Sequence, residues 1–301
     1  MMKVFAVIGL LIVLGYGGQV RAAPDCTSGQ RDVDLARERL AASEEDKAEA
    51  LLQQAIAACP SYQAYQSLGE LEARSPRRSD KVRAVDAFLS AYELASSDQA
   101  RAKTLYNYAS LLNRDADPQN AYPLIRNAQT LDPKDSDIAQ LSAQIERQVN
   151  NPTQEHLTRG LWNSVYKPLR VASAAPVAQG ARALVSEGPS VNIPINFETG
   201  SVMVDEKTRS NIATLAHTLS DPAHAEQRYL FVGHADIRGN EAQNIELSKR
   251  RAEAICEGVI LLAPSLQGRI DVTGRGSSEP IDPARNEGAY RANRRLQVLL
   301  K

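Results

Sequence analysis

GHADIRGNEAQNIELSKRRA (residues 233–252) holds the change of period on which the fold of the C-terminal half turns. RYLFVGHAD, which runs into this stretch, reads as a strand, and NEAQNIELSKRRAEAICEGVILL, which runs out of it, keeps helical spacing. Gly239 lets the chain turn between them, so Asp236 closes the strand and the helix starts near Asn240. On that helix Ile245, Ser248, Ala252, Ile255, Cys256 and Val259 form the inward stripe, with Asn244, Leu247, Arg251 and Ala254 on the neighbouring one. Asn244 and Arg251 thus lie about two turns apart on one side. Asp236 and Arg251 border one groove at the strand end, where an acid can hold an ammonium and a guanidinium can hold a carboxylate bidentately. The alternative is an intramolecular salt bridge, although an exposed pair contributes only about 0–1 kcal/mol to stability.

Outward from this stretch, VNIPINF alternates like a strand and ETGS supplies a turn. DEKTRSNIATLAHTLSD is a helix with Ile212, Leu215 and Leu219 on one face, and RIDVTGRG is another strand. YRANRRLQVLL begins as a helical turn and ends as a last strand. Strands alternating with helices predict a small α/β sandwich, a mixed sheet with helices on one face.

The same residues resemble the signature of the OmpA-like peptidoglycan-binding domain, G-H-T-D-x-x-G-x-x-x-Y-N-x-x-L-S-x-x-R-A. Gly233, His234, Asp236, Gly239, Asn244, Leu247, Ser248, Arg251 and Ala252 match it in register. VNIPINFETGS, Gly274, Gly276, Pro280-Ile281 and Asn293-Arg294-Arg295 extend the resemblance over about residues 188–301. It implies non-covalent binding of the peptide stem of peptidoglycan. By position, Arg251 would take a carboxylate of diaminopimelate, Asp236 would meet its amino end, and Asn244 would add a hydrogen bond or cap local backbone. Arg294 and Ala235 are further candidate binding positions. Ala235 stands where the pattern has Thr, and Gln243 where it has Tyr. The lost hydroxyl removes a possible hydrogen bond to ligand or loop.

The N-terminal half carries a different pattern. Ala48-Leu52-Ala55-Pro60, Ala84-Phe88-Ala91 and Ala121-Ile125-Ala128-Pro133 repeat a small-large-small motif at spacings of 36 and 37 residues. Ala36 and Ala109 precede the first and third copies by 12 residues, and Gly69 fills that place in the second. Small residues there let paired helices approach closely. The pattern resembles degenerate tetratricopeptide repeats over roughly residues 29–135, with DSDIAQLSAQIERQV as a capping helix; an ordinary helical bundle is the alternative. Such a solenoid implies a concave face for a protein partner that the sequence does not identify. Tyr62, Tyr65, Tyr106 and Tyr108 read as contact or packing residues.

In this 301-residue chain, 35 basic residues balance 36 acidic ones, which argues against nucleic-acid binding by a basic field. Lys3, the apolar run Val4 to Leu14 and Val20-Arg21-Ala22 have the layout of a secretory signal peptide cleaved after Ala22; an uncleaved anchor helix is the alternative. In an exported, oxidising compartment, Cys26 and Cys59 at the open end of one helical hairpin are candidates for a disulfide, and Cys256 reads as a buried thiol. The histidines show no metal spacing, and no phosphate loop or nucleophile motif occurs. No enzyme, metal or cofactor is therefore expected.

The expected organisation is multidomain. Residues 1–22 are a signal peptide, 23–150 an all-α helical-hairpin repeat solenoid, 151–189 a linker rich in Ala, Pro and Gly, and 190–301 the α/β sandwich. Within the linker, GLWNSVYKPLRV is the segment suited to packing on one neighbour. The expected function is non-catalytic tethering of a protein-interaction module to the wall, in the periplasm and associated with peptidoglycan or the outer membrane. The alternative is a periplasmic scaffold whose OmpA-like domain no longer binds peptidoglycan.

Overall fold

The computed structural model describes residues 26–167, 190–195 and 204–301. The expected signal peptide, residues 168–189 of the expected linker and the ETGS turn lie outside the described residues.

The described part of the N-terminal half is built of helices: α1 (Cys26–Ala41), α2 (Glu45–Ala58), α3 (Tyr62–Glu72), α4 (Arg78–Leu94), α5 (Asp98–Arg114), α6 (Pro118–Leu131) and α7 (Ser136–Asn150). Ser61, Ser97, Asp117 and Asp135 start α3, α5, α6 and α7, their side chains accepting from the first free backbone N–H groups. Successive helices pack in pairs through the small-large-small positions. Ala48, Leu52, Ala55, Ala84, Phe88, Ala91, Ala121, Ile125 and Ala128 are all buried. A Cβ on Gly69 would lie 2.6 Å from the ring of Phe88, so this glycine sets how closely α3 meets α4. A disulfide joins Cys26 to Cys59 with Cα atoms 4.8 Å apart, closing the end of the first pair.

The C-terminal half contains β1 (Ser190–Pro194), α9 (Glu206–Leu219), β2 (Tyr229–Gly233), α10 (Glu241–Leu262), β3 (Ile270–Gly274), α11 (Glu287–Asn293) and β4 (Arg295–Leu300). The sheet order is β1-β4-β2-β3. Strands β1 and β2 both pair antiparallel with β4, while β2 and β3 are parallel. The sheet is therefore mixed. Val191, Ile193, Tyr229, Phe231, Leu296 and Val298 share a core with Ile212, Leu215 and Leu219 of α9 and with Ala252, Ile255 and Val259 of α10.

Residues 154–166, which composition assigns to a linker, are instead ordered between the halves. α8 (Gln154–Thr158) runs into a π-helical turn, Arg159–Asn163. Leu157 and Leu161, four apart and so on one helical face, enter the core of the sheet domain, whereas Val165 and Tyr166 enter that of the helices. The segment packs on both neighbours because its apolar residues divide between two cores.

Helix α6 lies along the free edge of β1. The side-chain oxygens of Asn120 and Gln119 accept from the backbone N–H groups of Ser190 and Asn192 at 2.9 and 3.1 Å. Two donors of an edge strand are thereby satisfied by a helix. Asp117, fully buried beside them, accepts from Asn120 and from the Ser164 hydroxyl, and burial pushes its carboxyl up to about 6.

Cys26 and Cys59 are 33 residues apart, so their bond constrains a long loop of the unfolded chain. Replacing both by Ser is expected to lower the stability of the helical half by about 2–4 kcal/mol, measured by denaturant unfolding followed by circular dichroism. Unchanged stability would show that helix packing alone closes this end.

Candidate functional site

The site forms where β2 ends and α10 begins, and two glycines determine how near the helix comes. A Cβ on Gly233 would lie 2.0 Å from the carbonyl oxygen of Ser248, and one on Gly274 2.4 Å from that of Ile245. Any side chain at either position would push α10 off the strands. Ser248, completely buried, donates to the Ile245 carbonyl and accepts from the Gly276 N–H at 3.1 Å. Ile245, expected on the inward stripe, is 44% exposed, although its backbone carbonyl lies against Gly274.

The loop between β2 and α10 is built by local polar contacts. Asn240 caps α10, and Gly239 adopts a φ of +87°, which favours glycine. The Asn244 amide donates to the backbone carbonyls of Asp236 at 3.3 Å and Arg238 at 2.9 Å. Asn244 thus clamps the loop, the local-backbone role left open beside ligand contact. Ala235 has a buried methyl and donates its N–H to the Gly276 carbonyl at 2.8 Å, which ties the end of β2 to the loop after β3.

Asp236 is 8% exposed and lies among guanidinium groups. Arg238 reaches it through Nε at 3.0 Å and Nη2 at 2.8 Å, and Arg294 through Nη1 at 2.7 Å. The Arg238 backbone N–H adds a bond of 3.1 Å. Burial alone would raise the Asp236 carboxyl, but the bonds from Arg238 and Arg294 outweigh it and hold it at about 2. Arg251, buried on α10, experiences the field of both Arg294 and Asp236; its own pKa is lowered, first by burial and then by Arg294.

Among the described residues, Arg238 and Arg294 thus both bond Asp236, with Arg251 close enough to feel its charge. The sequence pairs Asp236 with Arg251, whereas in the structure the acid is held by Arg238 and Arg294 while Arg251 faces the group from the helix. Arg238 escaped the sequence reading although it lies two residues from Asp236. The signal was the D-x-R-G order, in which an Asx-type turn directs the arginine back onto the acid. Its guanidinium also bonds Glu287 at 3.2 Å and lies 4.4 Å from the centre of the Tyr290 ring. His234 is buried behind the site and bonds Gln297 at 3.1 Å; burial lowers its pKa well below the ordinary value. Among the described residues, no cluster of His, Cys, Asp and Glu fits a metal ion.

Residues 196–294 match the OmpA family, so the C-terminal part of the chain is an OmpA family domain. Over 115 residues, or 38% of this chain, it is 28% identical to the peptidoglycan-associated lipoprotein of Buchnera aphidicola and spans 62% of that protein. It is 30% identical over 115 residues to outer membrane porin F of Pseudomonas aeruginosa, spanning 32% of it. The chain thus covers less than two thirds of the length of either relative. The crystal structure of the peptidoglycan-associated lipoprotein from Burkholderia pseudomallei aligns with 40% of this chain and 93% of its own, at 23% identity and a TM-score of 0.33. Among the described residues, no helix is long and apolar enough to cross a membrane.

A carboxyl held near 2 instead of 3.8 contributes stability above pH 3.8 that is lost as pH falls towards 2. NMR titration of the Asp236 carboxyl carbon is expected to give a midpoint near 2, moving up towards 3.8 in Arg294→Ala. A wild-type midpoint at the ordinary value would show that the arginines do not hold the acid in solution.

Proposed function

We propose that the sheet domain binds peptidoglycan non-covalently through the diaminopimelate residue of its stem peptide, and tethers the helical half to the wall. The observation that carries this reading is the gathering at one strand end of an acid, Asp236, that can meet an ammonium and of guanidiniums, Arg294 and Arg251, that can meet a carboxylate. Arg251 and Arg294 receive a ligand carboxylate, and Asp236 meets the ammonium of the same residue. Asn244 contributes by holding the loop that carries Asp236, and Ala235 by seating it. Because Arg238 is half exposed, its head group swings away when the ligand ammonium takes its place on Asp236. Charge-assisted hydrogen bonds of this kind make binding reversible and sensitive to salt. The names of the related peptidoglycan-associated lipoproteins support the choice of ligand.

The helical half is, in this reading, a tetratricopeptide-like module that engages a protein partner. Lys103 lies where two surface depressions on α3 and α5 meet, one lined by Tyr62 and the other by Tyr106. Tyr108, in contrast, is a packing residue, buried and bonded to the Lys167 backbone. Export by a cleaved signal peptide places the protein in the periplasm, where the Cys26–Cys59 bond persists. No catalytic step belongs to this function.

One observation favours a second reading: Asp236 already has two internal arginine partners, as a domain that no longer binds the wall would have. Co-sedimentation of residues 23–301 with diaminopimelate-type sacculi separates the two. The wild type is expected to pellet, and Asp236→Ala and Arg251→Ala, each checked for folding, are expected to bind about 10–100-fold more weakly, the effect of losing a charged hydrogen bond worth about 1.5–3 kcal/mol. A folded wild type that stays in the supernatant would favour the scaffold.

A further inference from the structure

The ligand site is connected to the helical half by a short run of buried polar groups. Arg126 projects from α6 and donates Nε to Asp282 Oδ2 at 3.0 Å, with Nη2 on the same oxygen. Its Nη1 is held by Gln129 at 3.1 Å. The two charged side chains are only 14% and 3% exposed, so this is an interior ion pair between the halves. Next to it, Asn127 donates to the Ile281 carbonyl at 3.4 Å, and Ile281 and Ala292 enter the core of the helical half.

Asp282 is in turn one end of a closed loop. Its backbone N–H donates to Asn293 Oδ1 at 3.0 Å, and Asn293 Nδ2 donates back to the Asp282 carbonyl at 2.7 Å. Asn293 is completely buried. This reciprocal bridge fixes the ends of residues 282–293, including α11, which carries the Glu287 and Tyr290 that touch Arg238. The next residue along the chain is Arg294, whose guanidinium holds Asp236. One side of the site thus hangs from Asp282, and Asp282 is held by a residue of the other half.

We infer that Arg126 is a positioning residue of the ligand site: by fixing Asp282 it sets the Asp282–Asn293 bridge and hence the approach of Arg294 to Asp236. The helical half is then part of the wall-binding apparatus, and a partner that shifts α6 alters the grip on the wall. The ligand in this inference rests on the wall-binding reading, but the positioning of Arg294 does not. If the ion pair served docking alone, its loss would change stability and leave Asp236 and the ligand untouched.

The test uses residues 23–301 as wild type, Arg126→Ala, Arg126→Gln and Arg126→Lys, each checked for folding by circular dichroism. Two quantities are read: the NMR titration midpoint of the Asp236 carboxyl and affinity for diaminopimelate-type sacculi. The Ala and Gln variants are expected to raise the midpoint towards the ordinary carboxylate value and weaken sacculus binding about tenfold. Lys keeps the charge but loses the fork, and is expected to fall between these variants and the wild type. Wild-type values of both quantities in a folded Ala or Gln variant would overturn the inference. Should the wild type bind sacculi and Asp236→Ala not, with the Arg126 variants unchanged, the inference fails while the wall reading stands. Should the wild type bind no sacculi while the Arg126 variants still move the Asp236 midpoint, the wall reading fails and the positioning role stands.

Discussion

The site depends on how closely α10 crosses the ends of β2 and β3, and two absent side chains set that distance. With hydrogen atoms at Gly233 and Gly274, the helix backbone around Ile245 and Ser248 rests directly on the strands. Asn244 and Arg251 flank Ser248 at about one helical turn on either side, and Asp236 follows Gly233 by three residues. One backbone contact therefore brings together the acid, the loop clamp and the helix-borne guanidinium. Displacing α10 by the volume of a methyl group would separate Arg251 from Asp236 without altering either side chain. The buried Ser248 hydroxyl, bonded to Gly276, then ties the loop after β3 into the same arrangement.

A second constraint is the edge of the sheet. Strand β1 has unpaired donors on its outer side, and Gln119 and Asn120 of α6 accept from two of them. This substitution of side-chain oxygens for a neighbouring strand commits α6 to a fixed place beside the sheet. The residues that gather there are costly to bury separately: Asp117, Asp282, Arg295 and Asn293 are all less than 4% exposed. Arg295, inside the sheet domain, donates to Asn192 and to the Glu279 carbonyl, yet burial still lowers its pKa to about 9. Groups so desolvated need fixed partners, which gives the junction between the halves directional contacts as well as apolar ones.

Much of this was legible in the sequence, for identifiable reasons. Glycines, the Asn cap and the alternation of strand and helix periods act locally, so the order β1-α9-β2-α10-β3-β4 and the start of α10 near Asn240 follow from residues within a few positions of each other. The small-large-small alanines likewise mark the contacts between paired helices. What remained hidden involves choices among partners. Spacing places Asp236 and Arg251 on one side of a groove, but it does not rank Arg251 against Arg238 and Arg294, which reach the acid from a turn and from the far end of the chain. The segment around Leu157 and Leu161 was obscured by the Ala-, Pro- and Gly-rich stretch that follows, and its apolar residues divide between two cores that only the assembled chain creates. The Arg126–Asp282 pair, 156 residues apart, has no local signal at all.

The central claim is that the acid and the guanidiniums gathered at the end of β2 select a ligand bearing both an ammonium and an additional carboxylate. Calorimetric titration of residues 23–301 with free meso-diaminopimelate and with lysine tests it most directly, since lysine keeps the two amino groups and lacks the distal carboxylate. The account predicts saturable binding of diaminopimelate, at least about tenfold tighter than lysine, the difference one charge-assisted contact provides. Equal affinity for the two compounds, or no binding of diaminopimelate, would contradict it.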